Sequence, residues 1–298
     1  MLKERKIQME KFINGKVSYE VPMALRTTFK IGGKAEVFIV PDDESDLAEL
    51  LEFLYKNEME YFILGGGSNV LVSDSGIRER IVIHLPGSSY FRKIAVNDDL
   101  IMARAGVSLV KLMKAAVDNS LSGLEFLEGI YGSVGGALNM NAGAFGTAIG
   151  DKIFEVKVMN KRGKIIKYKR DDLSLGYRQG LKGKIILEVV FKLEKARKIN
   201  IENKCKEYRE YRKETQPKGR SAGCVFKNSG KLSAGKIIEE LGLKGLSRGD
   251  AYISKKHGNF IINRKNAKAK DVLWLIDRVK KVVKEEKNIV LDLELEIV

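Results

Sequence analysis

Two glycine-rich windows constrain the fold of this 298-residue chain more than any other feature of its sequence. The longer window, residues 129–146, reads GIYGSVGGALNMNAGAFG, and the shorter is Gly65-Gly66-Gly67, followed by Ser68 and Asn69. Both are crowded with glycines and other small residues where a helix favours longer side chains, so they predict turns in which the backbone takes positive φ or approaches another group closely. Exposed N–H groups in such turns can hold anions such as diphosphate. One loop alone is explained equally well by tight turns in an α+β core, but two loops with serine and asparagine favour a dinucleotide-type cofactor.

The residues around the shorter window exclude two common nucleotide-binding motifs. Strands are predicted on both sides of it, at residues 61–64 and 70–72, whereas the Rossmann fingerprint needs a strand, a glycine loop and then a helix. Neither window ends in Gly-Lys-Ser/Thr, so a P-loop is excluded as well. A cofactor site here belongs to a different architecture.

Hydrophobic periodicity predicts helices and strands along the whole chain. Ser108 is the predicted N-cap of one helix, and Gly242 follows another. Helices are predicted over residues 44–56, 108–119, 201–213, 233–241 and 270–286. Strands are predicted over 36–40, 61–64, 70–72, 81–85, 100–105, 156–160, 164–169, 185–193 and 291–297. We place a domain boundary close to the polar helix at 201–213.

The composition indicates a globular, basic protein. Hydrophobic residues make up 44% of the chain, with only 4 prolines. The net charge of +15 favours polyanionic partners, either nucleic acid or phosphorylated small molecules. The basic residues are scattered, however, so a solvated surface explains most of them. No segment reads as a secretory signal or a transmembrane span.

The two cysteines, Cys205 and Cys224, bear on metal binding and on the redox compartment. With only 2 histidines in the chain, they cannot form a usual zinc site, and we expect no metal. A disulfide framework is not expected either, so a reducing, cytoplasmic setting fits.

Several short motifs follow one another in a characteristic order. They read TFKIGG at residues 28–33, LGGGSNV at 64–70, GIYGSVGGA at 129–137, GYR at 176–178 and SAGCVFKN at 221–228. Together they resemble the UDP-N-acetylenolpyruvoylglucosamine reductase (MurB) family of peptidoglycan synthesis. The resemblance extends from about residue 20 to the C-terminus.

The resemblance implies an α+β fold with an FAD-binding fold of the vanillyl-alcohol oxidase type. Two α+β subdomains, residues 1–80 and 81–200, would bind FAD. Residues 201–298 would form a C-terminal α+β substrate-binding domain, whose last strand could return to the first subdomain. No counterpart of the Tyr-bearing loop of the longer subtype is recognisable, so the chain resembles the compact subtype.

The activity that the resemblance implies is a two-step reduction. NADPH, as co-substrate, would reduce FAD, and the reduced flavin would then convert UDP-N-acetylglucosamine enolpyruvate into UDP-N-acetylmuramate. The expected partner is therefore the UDP-sugar substrate. We expect no nucleic acid, membrane or obligate protein partner, and a monomer.

Three residues are implied to be catalytic: Arg178, Cys224 and Glu294. An arginine suits the growing charge of a substrate enolate, although Arg178 judged by itself reads as a surface residue. Cys224 stands where the family commonly has the serine that donates a proton, and a small buried hydrophobe is the alternative explanation. Glu294 matches the family's C-terminal glutamate in a pattern without the usual proline. A slip of two residues would select Glu296 instead, and an exposed edge strand would leave neither glutamate catalytic.

The motifs also assign binding residues. Tyr131 stands where the family more often has proline, and Cys205 is assigned no role. The implied FAD-binding residues are Gly65, Gly66, Gly67, Ser68, Asn69, Gly129, Gly132, Ser133, Gly135, Gly136, Asn139, Asn141 and Gly143. The candidate substrate-binding residues are Tyr177, Lys213, Lys227, Asn228 and His257; for Tyr177 and His257 the residues alone favour packing or another structural role.

Two other functions are compatible with parts of the sequence. Another flavin-dependent oxidoreductase on the same fold would share the glycine windows, but not the SAGCVFKN segment and the terminal glutamate. A basic nucleic-acid-binding protein would explain the charge, but no aromatic–basic recognition motif is present.

Overall fold

The computed structural model describes residues 9–181, 183–228, 230 and 232–298. The chain divides into two compact units. The first contains residues up to 19, 37–66 and 79–210, and the second contains 20–36, 67–78 and 211–298. Each unit has its own hydrophobic core. The finer boundaries at residues 80 and 200 stay a prediction.

Helices and strands alternate through the described residues, which confirms the α+β class. The helices are α1 Glu44–Lys56, α2 Leu109–Asp118, α3 Val134–Asn139, α4 Lys198–Thr215, α5 Ala234–Glu240 and α6 Ala269–Lys287. The strands are β1 Lys16–Pro22, β2 Lys34–Val40, β3 Glu60–Ile63, β4 Val70–Leu71, β5 Arg80–Ile83, β6 Ile94–Asn97, β7 Leu100–Arg104, β8 Leu121–Ser122, β9 Gly143–Ala144, β10 Thr147–Ala148, β11 Ile153–Met159, β12 Ile165–Lys169, β13 Ile185–Lys192, β14 Glu194–Lys195, β15 Ser247–Arg248, β16 Ala251–Ile253, β17 Ile261–Asn263 and β18 Glu296–Ile297. Short 3₁₀ helices cover Met23–Leu25, Leu85–Gly87, Tyr90–Arg92, Glu125–Leu127, Ile149–Lys152 and Arg170–Asp172.

The first unit contains a five-stranded antiparallel sheet in the order β12-β11-β13-β7-β6. A second sheet has the order β1-β2-β5-β3, in which β5 pairs in parallel with both β2 and β3. The leucines of α1 recur at helical spacing and are fully buried in the core of this unit. The chain enters the second unit within β1 and returns within β2.

The second unit is built on the antiparallel sheet β15-β16-β17 and the helices α5 and α6. The apolar stripe predicted for α6 is buried at Val272, Leu275, Ile276, Val279 and Val283. Strand β18 lies parallel to β4, where Glu296 pairs with Val70. None of the helices in the described part of the chain is long and apolar enough to cross a lipid bilayer.

All five predicted helices are confirmed to within a few residues. Ser108 caps α2, accepting a hydrogen bond from the N–H of Lys111 at 3.3 Å. Gly242 follows the end of α5 with a φ of +67°, a left-handed conformation that favours glycine.

Two predictions of local structure are wrong. The glycine-rich window 129–146 contains the helix α3 as well as turns, because the helix packs so closely on Ala105 that a β carbon on Gly135 would lie 2.9 Å from the Ala105 Cβ. The predicted strand 291–297 is regular only at its end, in β18. The carbonyl of Val225 accepts from both Glu294 N–H and Leu295 N–H, which interrupts the regular pairing.

Candidate functional site

The two glycine windows meet inside the first unit. A β carbon on Gly66 would lie 2.7 Å from the Cα of Gly132, and one on Gly65 would lie 2.8 Å from the Oγ of Ser133. Carbon atoms in ordinary contact are about 3.5–4.0 Å apart, so these loops can approach this closely only where side chains are missing. Gly66 and Gly136 remain exposed beside this contact. We call Gly65, Gly66 and residues 132–136 the glycine cradle.

Hydrogen bonds fix the longer side of the glycine cradle to the core of the first unit. The N–H of Val134 donates to the carbonyl of Val107 at 2.8 Å, and Gly135 N–H donates to Ala105 at 2.9 Å. Ser133 Oγ accepts a hydrogen bond from the N–H of Gly136 at 3.4 Å. The backbone of the cradle is therefore held in place by its own hydrogen bonds, and its glycines leave room for a ligand to approach the backbone closely.

The remaining residues of the shorter window belong to the second unit. Gly67 has a φ of +64°, and a β carbon there would lie 2.1 Å from the carbonyl oxygen of Arg26. Gly67 also accepts a hydrogen bond from the N–H of Thr28 at 3.0 Å. Ser68 and Asn69 are half-buried. Glycine at position 67 is thus required by backbone packing.

The two asparagines expected near the flavin have different surroundings. Asn139 is exposed at the end of α3. Asn141 is buried, and its side chain connects a 3₁₀ helix to a turn within the first unit: Oδ1 accepts from Gly150 N–H at 3.0 Å, and Nδ2 donates to the Gly176 carbonyl at 2.9 Å. The assignment of both to FAD stays a prediction, and the Asn141 amide has a positioning role in addition.

Arg178 occupies the corner of a tight turn in the first unit. Gly176 and Gln179 exchange backbone hydrogen bonds of 2.9 and 3.0 Å, which leaves Tyr177 and Arg178 at the turn. Arg178 has a φ of +54°, an unusual conformation for a residue with a side chain. Its Nη1 donates to the carbonyl of Gly143 at 3.4 Å, and its guanidinium lies 5.1 Å from the ring of Tyr177, which is exposed. The turn thus presents a fixed cation.

The second unit brings Cys224 and Glu294 onto adjoining stretches of backbone. Cys224, half-buried, forms an antiparallel bridge with Phe260. The N–H of Glu294 donates to the carbonyl of Val225, the next residue after Cys224, at 2.9 Å. Two of the three predicted catalytic residues therefore lie in one local arrangement, although they are 70 positions apart in the sequence.

The two candidate glutamates are held by different neighbours. The carbonyl of Glu294 accepts a hydrogen bond from Asn69 Nδ2 at 2.8 Å, and its side chain is half-buried. Glu296 is exposed and pairs with Val70 in β18. The backbone N–H of Glu294 donates to Val225 in the segment that contains Cys224, whereas that of Glu296 donates to the carbonyl of Asn69.

The predicted substrate-binding residues of the second unit are spread over several segments. Lys213 is exposed on α4. Lys227 is half-buried, and its N–H donates to the carbonyl of Asp292 at 2.9 Å. The Oδ1 of Asn228 accepts from the N–H of Ala234, at the start of α5, at 3.1 Å.

His257 is half-buried against Phe260, and the two rings form a T-shaped pair with a centroid distance of 4.9 Å. Its Nδ1 accepts a hydrogen bond from the N–H of Asn259 at 3.2 Å. Burial lowers the pKa of His257, and nearby Lys244 also lowers it, whereas Glu239 raises it. The imidazole is therefore neutral at neutral pH, with Nε2 carrying the proton.

Cys205 fits the expectation that it has no catalytic role. It is buried on α4, and burial raises its pKa to about 11, with Glu128 and Glu125 adding to the shift. A thiol with so high a pKa stays protonated and unreactive near neutral pH.

Two features near the candidate site were missed from the sequence. Asn259 is buried, and its amide pairs with both backbone groups of Phe226. Phe145 and Tyr208 stack in parallel, 3.8 Å apart, in the first unit. Neither feature had a sequence signal, because the partners are far apart along the chain and no motif links them.

Known families match most of the chain. The FAD binding domain family matches residues 35–169, and the C-terminal domain of UDP-N-acetylenolpyruvoylglucosamine reductase matches residues 215–298. The reductase of Clostridium tetani is 41% identical over 280 residues, covering 93% of this chain and 90% of the relative. The reductase of Clostridium kluyveri is 42% identical over 286 residues, covering 95% of this chain and 93% of the relative.

Solved structures show the same relationship. The crystal structure of UDP-N-acetylenolpyruvylglucosamine reductase from Thermus caldophilus superposes with a TM-score of 0.81 at 38% identity, covering 96% of this chain and 99% of that one. A glucose dehydrogenase, Phl p 4.0202, has a TM-score of 0.52 at 15% identity and covers 65% of this chain and 44% of that one, which shows a shared fold alone. The predicted FAD-binding fold with a C-terminal reductase domain is confirmed.

Proposed function

This chain belongs to the UDP-N-acetylenolpyruvoylglucosamine reductase family, and on that premise we propose that it reduces UDP-N-acetylglucosamine enolpyruvate to UDP-N-acetylmuramate with NADPH. The observation that carries the proposal is the glycine cradle, in which a β carbon on Gly66 would lie 2.7 Å from Gly132. Such a side-chain-free surface fits the diphosphate of FAD. The chemistry that FAD would supply when bound is hydride transfer: a hydride is accepted from NADPH and delivered to the outer vinyl carbon of the substrate.

Arg178 supplies the cation that this reaction needs. When hydride reaches the outer vinyl carbon, the electrons of the C=C bond move towards the neighbouring carboxylate and form an enolate. A guanidinium is always charged and presents two parallel donors to a carboxylate. The tight turn at Gly176–Gln179 fixes the backbone of Arg178 before the charge develops, so reorganisation costs little in the transition state.

Cys224 supplies the proton that completes the reduction. Its Sγ–H bond breaks as a C–H bond forms at the inner carbon of the enolate, and the thiolate then takes a proton from water. An ordinary thiol has a pKa of about 8.5, far below that of an alcohol, so it transfers a proton more readily than serine. The proton transfer requires Cys224 to lie within reach of the carbon.

Glu294 acts beside Cys224. Its backbone is held between the Val225 carbonyl and the Asn69 side chain, and this fixes the position from which its side chain extends. A glutamate that is desolvated next to an enolate can remain protonated and donate a hydrogen bond to it. We assign this role to Glu294 rather than Glu296, because the Glu294 backbone is bonded to the Cys224 segment.

The substrate diphosphate and sugar would bind through Lys213, Lys227 and Asn228. Lysine suits phosphate as a mobile point charge, and the net charge of +15 attracts an anionic nucleotide sugar. His257 is neutral, so it would contribute hydrogen bonding or packing rather than charge. We further propose that the enzyme works as a cytoplasmic monomer in the synthesis of cell-wall precursors.

A product assay in deuterated water tests this proposal. The protein is incubated with FAD, NADPH and the enolpyruvyl nucleotide in D₂O, and the product is examined by mass spectrometry and proton NMR. We expect NADPH oxidation to depend on the nucleotide, and one solvent deuteron to appear at the inner carbon. NADPH oxidation that requires only oxygen, with no reduced nucleotide formed, would contradict the proposed substrate.

A further inference from the structure

Asn259 is a buried polar residue whose side-chain amide forms hydrogen bonds with both backbone groups of one residue, Phe226. Only 3% of the surface of Asn259 is exposed. Its Oδ1 accepts from the N–H of Phe226 at 2.8 Å, and its Nδ2 donates to the carbonyl of Phe226 at 2.8 Å. The side-chain amide thus pairs with Phe226 as a second strand would.

The backbone around Asn259 extends the same pairing. The N–H of Val225 donates to the carbonyl of Asn259 at 2.9 Å, and Cys224 forms a bridge with Phe260. Three consecutive residues, Cys224 to Phe226, are therefore attached to residues 259 and 260. This segment follows Gly223, whose φ of +76° makes it a point of bending in the chain.

The opposite edge of the segment is attached to the C-terminal residues. The Val225 carbonyl accepts from Glu294 N–H, and Lys227 N–H donates to Asp292. The N–H and carbonyl of Phe226 face the other way and bond the side chain of Asn259. The Asn259 amide therefore satisfies the backbone groups that the C-terminal residues leave unpaired within this segment. Loss of the amide would leave one buried donor and one buried acceptor unsatisfied.

We infer that Asn259 is a positioning residue for Cys224, holding the thiol where it can protonate the inner carbon of the substrate. The inference rests on the proposed function. Asn259 acts through the backbone of Phe226 and Val225 and takes no part in the hydride transfer from NADPH. A shift of the thiol by about 1 Å is sufficient to cost a large part of a proton-transfer rate.

The test compares two buried asparagines of the same unit. Asn259→Asp removes the donor to the Phe226 carbonyl and places a carboxylate oxygen against it. Asn263→Asp is the control, because Asn263 is equally buried but donates to the carbonyl of Phe29, at 2.9 Å, and accepts from Ala267. Both variants are loaded with FAD, and the two half-reactions are followed separately in a stopped-flow spectrometer.

For Asn259→Asp we expect the reduction by NADPH to stay near the wild-type rate, whereas reoxidation by the enolpyruvyl nucleotide slows by about ten- to a hundredfold, because the enolate reverts to substrate unless a proton traps it. The solvent isotope effect on reoxidation should rise, since proton transfer becomes limiting. Asn263→Asp should leave the ratio of the two rates unchanged. A structural defect alone would not separate the half-reactions in this way.

Two kinds of failure are distinguishable. If wild-type enzyme is not reoxidised by the nucleotide, the proposed function fails. If wild type is reoxidised and Asn259→Asp shows no change in the ratio, the positioning role is wrong. Should Asn259→Asp not fold, Asn259→Ala removes both amide hydrogen bonds without burying a charge and permits the same comparison. Failure of both to fold, with Asn263→Asp folded, would show that the amide serves the fold and would overturn the inference.

Discussion

Gly66→Ala perturbs the closest contact between the two glycine windows. The new β carbon would lie 2.7 Å from Gly132 Cα, 3.0 Å from Gly132 C and 3.2 Å from Ser133 N. All three atoms are backbone, so no side chain can turn away to make room. The loop at Gly66, the loop at Gly132 or both must move.

The size of the effect follows from the missing space. Carbon atoms in contact are about 3.5–4.0 Å apart, so the loops must separate by roughly 1 Å. Overpacking of this kind costs about 1–3 kcal/mol of the free energy of unfolding. Because the same two loops form the glycine cradle, FAD should bind at least about tenfold more weakly, a loss of about 1.4 kcal/mol.

Gly136→Ala is the matched control in the same cradle. The nearest atom to a β carbon there, apart from chain neighbours and the helix's own backbone, is the Ser133 Oγ at 3.4 Å, and Gly136 lies in α3. Alanine is more favourable than glycine within a helix by about 0.5–1 kcal/mol. The apoprotein should therefore keep its stability, while the added methyl on the exposed side of the cradle weakens FAD binding.

The assay is urea unfolding of the apoproteins, combined with titration of FAD followed by flavin fluorescence. Gly66→Ala should lose both stability and FAD affinity, and Gly136→Ala should lose FAD affinity alone. Wild-type stability and FAD affinity in Gly66→Ala would refute the close contact of the loops. Wild-type FAD affinity in Gly136→Ala would show that α3 does not face the cofactor.

Three further predictions concern single residues. Cys224→Ala should leave the rate of flavin reduction by NADPH unchanged and slow reoxidation by the nucleotide by about 10²–10⁴-fold. Cys224→Ser should be close to wild type. Equal reoxidation rates in wild type and Cys224→Ala would eliminate the proton-donor role. Because burial lowers the pKa of His257, the folded protein binds fewer protons there than the unfolded chain. The contribution of His257 to the free energy of unfolding should be fully present above about pH 6.5 and be lost as the pH falls through the folded-state pKa. His257→Gln should flatten this part of the pH dependence in urea unfolding. Asn141→Ala removes the 2.9 Å hydrogen bond to the Gly176 carbonyl, which holds the turn of Arg178. The KM for the nucleotide should rise while the FAD content is retained. A changed flavin spectrum with an unchanged KM would show that Asn141 serves the cofactor instead.

The parts of the fold that depend on local sequence were predictable. Helix α1 follows from its leucine spacing, and α2 from the serine that caps it. Helix α3 was not predictable from composition, because Gly135 reflects close packing on Ala105 rather than backbone preference. The strict alternation at residues 291–297 likewise predicted a strand. The strand is interrupted because the carbonyl of Val225, in a distant segment of the sequence, accepts hydrogen bonds from two consecutive residues, Glu294 and Leu295.

The candidate site divides in the same way. The glycine windows, Arg178 and Cys224 could be predicted as candidates because they lie in short motifs. Asn259 was not, since its partner Phe226 is 33 residues away and a single asparagine carries no periodic signal. Contacts between distant segments are decided by the packed fold, which residue patterns describe only indirectly.

This protein passes reducing equivalents from NADPH through FAD to an enolpyruvyl nucleotide sugar. An anaerobic absorbance experiment tests it most directly: the FAD-loaded protein receives one equivalent of NADPH and then UDP-N-acetylglucosamine enolpyruvate. We expect the flavin absorbance to bleach with NADPH and to return in full when the nucleotide is added. Absorbance that bleaches but returns only when oxygen is admitted would contradict it.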